Sequence, residues 1–121
     1  MSVRSRTVQE GTISIIEIRS SLIGEDEIDE LRDAVSDFIE QGNKKLIIDL
    51  SRVGIINSVG IGALISSYTS FTRNRGEVIL TGANKSIKNV FIITKLSEVF
   101  EIHDTIEEAV NKFSLSNINN Q

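Results

Sequence analysis

The stretch that most constrains how this chain folds runs from Leu46 to Leu64. Leu46-Ile47-Ile48-Asp49-Leu50 is a short apolar run without alternation, and after a polar step Asn57-Ser58-Val59-Gly60-Ile61-Gly62-Ala63-Leu64 opens a helix. A strand that is apolar on both sides needs cover on both sides, as a central parallel strand has. The strand-then-helix order therefore puts residues 46–50 at the spine of an α/β sheet. It also puts the Ser58 hydroxyl at a helix start, where the first N–H groups lack partners within the helix and carry its positive end. A phosphate is welcome at such a place. Ser58 equally suits the plainer role of N-cap, which serine favours, and the two roles are compatible.

Strand-like and helix-like patterns alternate along the rest of the chain. Residues 3–9 are half polar and suit an edge strand, and Ile13, Ile15, Ile16 and Ile18 form a β-branched run after a turn at Gly11, so the two predict an N-terminal hairpin. The acidic start Glu25-Asp26-Glu27 complements a helix dipole, and Ile28, Leu31, Val35, Phe38 and Ile39 follow at helical spacing until Gln41-Gly42-Asn43. In the helix opened at Ser58, Ile61, Leu64, Ile65, Tyr68 and Phe71 form the expected buried face. Gly60 and Gly62 in its first turn each cost up to ~1 kcal/mol relative to Ala, which predicts a close backbone approach there. A strand at residues 77–80, a helix carrying Ile87, Val90, Phe91 and Leu96, and a short strand at residues 99–102 come next. Asp104 and Glu107 stand in a capping-box relation at the start of a C-terminal helix with Ile106, Ala109, Val110 and Phe113. Residues 1–113 thus read as one domain, and the polar, Asn-rich residues 114–121 as a disordered tail.

Several chemistries find no support. The chain of 121 residues has no Cys and a single His, His103, so disulfides, thiolate metal sites, cysteine nucleophiles and His clusters are excluded. A net charge of −4 with scattered Lys and Arg argues against nucleic acid as a partner. The start, Met1-Ser2-Val3-Arg4-Ser5-Arg6, lacks the apolar core of a signal peptide, and no apolar run reaches membrane-spanning length, so a cytoplasmic protein without direct membrane insertion is expected. The sequon Asn84-Lys85-Ser86 carries no weight in that setting. Gly60-Ile61-Gly62 lacks the third glycine and the acidic residue of a dinucleotide fingerprint, and no Lys follows it as in a phosphate-binding loop. Asp26, Asp29, Asp33, Glu30 and Asp37 make a solvated helix face instead of a sheltered acid–base pair. His103 beside Asp104 invites a triad with Ser58, but Ser58 has no nucleophile elbow around it. No catalytic residue, metal or cofactor is assigned.

The pattern Ile47-Ile48-Asp49-Leu50-Ser51, Val53, Ile55-Ile56-Asn57-Ser58-Val59-Gly60-Ile61-Gly62-Ala63-Leu64 resembles the signature of STAS domains, the family of single-domain bacterial anti-sigma-factor antagonists. The similarity continues through Gly76-Glu77-Val78-Ile79-Leu80-Thr81-Gly82 and on to Thr105-Ile106-Glu107-Glu108-Ala109, covering nearly the whole chain. It implies an α/β STAS fold: a mixed central β-sheet with an N-terminal hairpin, about four packed α-helices and a C-terminal helix. It also implies a partner-switching protein without catalysis of its own. Family members bind an anti-sigma factor that is also a serine kinase; the kinase phosphorylates the serine matching Ser58, and a serine phosphatase reverses the step.

Phosphorylation adds about −1.5 to −2 charge units and three acceptor oxygens. Like-charge contact and desolvation at an interface can cost several kcal/mol, and each ~1.4 kcal/mol is a tenfold loss of affinity. The resemblance places the partner surface on Ile23, Gly24, Asn57, Ser58, Val59 and Ile61, with Ala83 and Asn84 alongside at one end of the sheet. This chain departs from the family in having Asn57 where Asp usually precedes the serine, Val59 where a second serine often follows, and Ile23 near the place of a loop Asp. The resemblance also admits a STAS interaction module of another assembly, such as a lipid transporter subunit or a sensory scaffold, docking through the same surface without a phosphate cycle.

Overall fold

The structure, a computed structural model, describes residues 2–119, with side chains through 115. Ten elements follow one another: β1 (Val3–Val8), β2 (Ile13–Ile18), α1 (Glu25–Glu40), β3 (Lys45–Asp49), α2 (Ser58–Arg73), β4 (Glu77–Thr81), α3 (Lys85–Ile93), a 3₁₀ turn (Leu96–Glu98), β5 (Glu101–His103) and α4 (Ile106–Asn119). The strands lie in the order β1-β2-β3-β4-β5 in one five-stranded sheet. β1 and β2 form the antiparallel hairpin, with Val3 opposite Ile18 and Val8 opposite Ile13. Every other pairing is parallel. β3 is the middle strand, as its unbroken apolar run requires.

Each parallel step advances the sheet in one direction, and right-handed crossovers then put the intervening helices on one face. The packing agrees. Leu46, Ile48, Leu80 and Ile16 face a core shared with Leu31 and Val35 of α1, Ala63 and Leu64 of α2, and Phe91 of α3. Ile13, Ile15, Ile47 and Ile79 point the other way, onto Ala109 and Phe113 of α4. The residues of β3 therefore do alternate, but between two buried faces. Burying a side chain the size of Ile47 contributes roughly 1.5–3 kcal/mol, which explains why no polar residue interrupts residues 46–48. The one basic residue of the strand, Lys45, is buried with its Nζ donating to the Phe113 carbonyl at 3.0 Å, which ties α4 to the sheet.

Four expectations change. The buried face of α2 is Gly60, Ala63, Leu64, Ser67 and Phe71, whereas Ile65 is exposed and Ile61 half-buried. Small side chains let the helix sit close to its neighbours, and a pattern of large apolar residues misses that face. Leu96 lies beyond α3, in the 3₁₀ turn. At the start of α4 the capping pair is shifted by one residue: Thr105 Oγ1 accepts from the Glu108 amide at 3.1 Å, and Glu108 accepts from the Asp104 amide at 3.2 Å. Finally, α4 carries the backbone helix to Asn119, through most of the segment expected as a disordered tail; Asn120 and Gln121 lie outside the described residues. No Gly or Pro breaks residues 106–119.

Candidate functional site

Because β2, β3 and β4 are parallel, the loops that leave them for α1, α2 and α3 gather at one sheet edge, where α/β folds place their binding surfaces. Backbone pairing joins the first two loops: Leu22 bridges to Ile56, and the Leu22 amide donates to the Ile55 carbonyl at 3.0 Å. Gly60 makes this possible, since a Cβ there would collide with the Leu22 carbonyl oxygen and lie 2.9 Å from Ile56 Cγ1. The close approach expected at this glycine is therefore present. Gly62 has open space around it within this chain.

Two asparagines fasten the loops. Asn57, not Ser58, is the N-cap of α2: its Oδ1 accepts from the Gly60 amide at 2.9 Å, and its Nδ2 donates to the Ile23 carbonyl at 3.2 Å. Asn84 repeats the device as N-cap of α3, accepting from the Ile87 amide at 2.8 Å and donating to the carbonyls of Val53 at 3.3 Å and Gly54 at 3.2 Å. Each cap thus holds the loop of the preceding β–α unit. Below them the buried Asp49 carboxylate closes the strand ends, accepting from Thr81 Oγ1 at 2.7 Å and Ser51 Oγ at 2.5 Å.

Ser58 is the first residue of α2 and is exposed. The Asn57 side chain occupies the Gly60 amide and its carbonyl occupies the Ile61 amide. The Ser58 and Val59 amides, which have no partner within the helix, remain to face an anion. No acidic residue lies in the first turn of α2, so the positive end of the helix is not neutralised from within. A phosphoryl group on this oxygen would be stabilised by about 0.3–1 kcal/mol from the dipole alone.

Apolar side chains border the serine. Val59 is 57% exposed, Ile55 64% and Ile23 47%. Isolated exposed apolar residues are ordinary, but Ile23 and Ile55 on two loops tied to each other and Val59 in the first turn of α2 form a patch. Ile55 was not among the expected contact residues. Its signal lies in the pair Ile55-Ile56 just before the helix: Ile56 turns inward to the Leu22 bridge, and its neighbour in extended chain must turn outward.

The other expected residues divide. Gly24, half-buried, is the N-cap of α1, and its carbonyl accepts from the Ile28 amide at 3.2 Å. Ile61 is half-buried beside the Gly60 approach. Asn84 is exposed. Ala83 corrects the expected surface: at 7% exposure it belongs to the core under the loops, because the chain turns inward there to carry Ile87 and Phe91 into the same cluster. His103 Nε2 lies 2.8 Å from Glu101 Oε2, with Nδ1 3.9 Å from Glu108, so its side chain meets acids of β5 and α4 and not Ser58. Among the described residues, no His, Cys, Asp and Glu group suited to a metal occurs, and no helix is long and apolar enough to cross a membrane.

With this geometry in place, the comparison that decides the family is the match of the STAS domain model to residues 4–109. The chain belongs to the STAS domain family. The anti-sigma-B factor antagonist of Listeria monocytogenes is 33% identical to this STAS protein over 57 residues, 47% of this chain and 50% of that one. A crystal structure of a candidate anti-sigma factor antagonist of Thermotoga maritima has a TM-score of 0.81 at 24% identity, over 91% of this chain and 92% of that one. The Bacillus cell fate determinant SpoIIAA in its phosphorylated form has a TM-score of 0.69 at 21% identity, over 92% of this chain and 98% of that one. At these identities the two structures speak to the fold. It is the STAS fold, with the mixed sheet, N-terminal hairpin and C-terminal helix described above.

Proposed function

We propose that this STAS protein is an anti-sigma-factor antagonist: it binds an anti-sigma factor that is also a serine kinase, and phosphorylation of Ser58 ends that binding until a serine phosphatase restores it. The observation that carries the reading is an exposed hydroxyl at the first position of α2, bordered by exposed Ile23, Ile55 and Val59. An apolar patch supplies binding energy by leaving water, at roughly 25 cal/mol per Å². A doubly charged group set among those side chains must be desolvated or must keep the partner away. The same group meets the free amides and positive end of α2, so the modified protein stays folded. The complex is lost and the fold is kept.

The antagonist role named for the Listeria relative supports the partner class. The phosphorylated state of the Bacillus protein of the same fold supports the modification. Ile23, Gly24, Asn57, Ser58, Val59, Ile61 and Asn84 form the proposed docking edge, with Ile55 added. Ala83 supports it from beneath. The switch calls on no cofactor or metal of this chain.

The test is to incubate the protein with ATP and the kinase-like product of a neighbouring gene and to weigh it intact. A gain of one phosphoryl group, absent in Ser58→Ala, is the expected result. Modification at another residue, or none with a kinase that does bind the protein, contradicts the reading.

A further inference from the structure

Along their later turns α1 and α2 leave between them a cleft of about 470 Å³. That volume falls in the range of small-molecule sites. Ser66, on its rim, stands eight residues beyond Ser58 in the same helix, about 12 Å along the axis. The cleft is therefore separate from the loop edge described above.

Val35 and Ile39 give the cleft an apolar side. Arg32, Ser36, Ser66, Ser67, Ser70 and Asn74 give it a polar one. Ser67 is 2% exposed, yet its hydroxyl has no hydrogen-bond partner among the described residues. A serine inside a helix usually bonds back to the carbonyl one turn earlier. Here that carbonyl, on Ala63, accepts from Ser66 Oγ at 3.1 Å instead. A buried hydroxyl without a partner is destabilising and calls for an explanation.

The remaining polar groups are biased toward donation. Arg32 makes no ion pair among the described residues, and a guanidinium offers only donors, in a fork that fits a carboxylate. Asn74 spends one Nδ2 donor on the Ser70 carbonyl at 2.8 Å, which leaves its Oδ1 as an acceptor for a hydroxyl. We propose that this cleft binds a small hydroxylated carboxylate. Its carboxylate pairs with Arg32, its hydroxyls meet the serines and Asn74, and its C–H face lies on Val35 and Ile39.

The test is an NMR titration of the full chain with gluconate as probe, alongside sorbitol, which has hydroxyls without charge, and acetate, which has charge without hydroxyls. Gluconate should give saturating shifts centred on Arg32, Ser66, Ser67 and Ser70, with sorbitol and acetate at least about tenfold weaker, as loss of a charge-assisted contact or of several hydroxyl contacts implies. Arg32→Gln, an exposed change, should weaken gluconate about tenfold or more with an unchanged melting curve, and Ser67→Ala, which removes an unpartnered buried hydroxyl, should weaken it about two- to tenfold with a melting temperature no lower than that of the wild type. Three outcomes overturn the proposal: no saturation up to the solubility limit of gluconate, equal binding of either control, or wild-type affinity in Arg32→Gln.

Discussion

The side-chain amide of Asn57 donates to the Ile23 carbonyl at 3.2 Å while its oxygen caps α2 through the Gly60 amide at 2.9 Å. One side chain thus serves two loops, and it needs both a donor and an acceptor to do so. An aspartate could cap the helix but could not donate to Ile23. The asparagine at this position binds the loop carrying Ile23 to the start of α2.

Substitutions at Asn57 should separate these roles. Asn57→Ala removes both bonds and should cost about 1 kcal/mol or more, typical of a lost N-cap. Asn57→Asp keeps the cap and should cost less, but amide exchange at Ile23 and Gly24 should quicken. Denaturant melts and hydrogen exchange measure the two effects. Equal stability loss in the two variants would show that the Ile23 bond, and not the cap, dominates.

The two glycines of α2 should respond in opposite directions. Gly60→Ala drives a methyl into the Leu22 carbonyl, and backbone must move, so a loss of about 1–3 kcal/mol is expected from overpacking. Gly62→Ala meets nothing within 4 Å and should stabilise by about 0.4–1 kcal/mol through helix propensity and the unfolded state. Equilibrium unfolding of both variants checks the pair. A destabilised Gly62→Ala would mean that something closes on that face in the free protein.

Ile55, 64% exposed, should matter to the partner and not to the fold. Ile55→Ala should leave the melting temperature within experimental error and weaken the kinase complex by about tenfold, the level of an interface hot spot near 1–2 kcal/mol. Titration calorimetry of the complex reads it. Wild-type affinity would remove Ile55 from the docking edge.

Much of this arrangement is legible in the residues, and the exceptions share a cause. The apolar run at residues 46–50 and the isoleucines of residues 13–18 mark strands because β-branched residues in short runs have few other uses. The placement of Ser58 at a helix start follows from the polar step before it. Asn57 takes the cap expected of Ser58 because Asn and Ser are comparable caps, and only the Ile23 carbonyl distinguishes them. Ile65 lies outside the core and Ala83 inside it because burial on α2 and under the loops goes to small residues, which hydrophobic patterns underweight. α4 continues past Phe113 because no Gly or Pro interrupts residues 106–119, and polar composition alone does not end a helix.

The acid limb of stability should depend on Glu101. Partial burial works to raise its carboxyl, but hydrogen bonds from His103 and Lys112, reinforced by their charges, outweigh burial and hold it below its ordinary 4.5. A lowered folded value contributes stability that is present above pH 4.5 and lost as pH falls through the lower folded value. Glu101→Gln should therefore be less stable than the wild type near neutral pH, with the gap closing in acid. Thermal melts across that window test the sign. A gap that widens as pH falls would contradict it.

The proposed switch depends most on Ser58 acting as a charge-controlled contact, and the most direct measurement compares kinase binding by the wild type, Ser58→Ala and Ser58→Asp, with melting curves recorded on the same samples. The predicted result is near wild-type affinity for Ser58→Ala, a loss of about tenfold or more for Ser58→Asp, each tenfold being ~1.4 kcal/mol, and three similar melting temperatures. Undiminished binding by a folded Ser58→Asp, matched by undiminished binding of protein phosphorylated at Ser58, would contradict it.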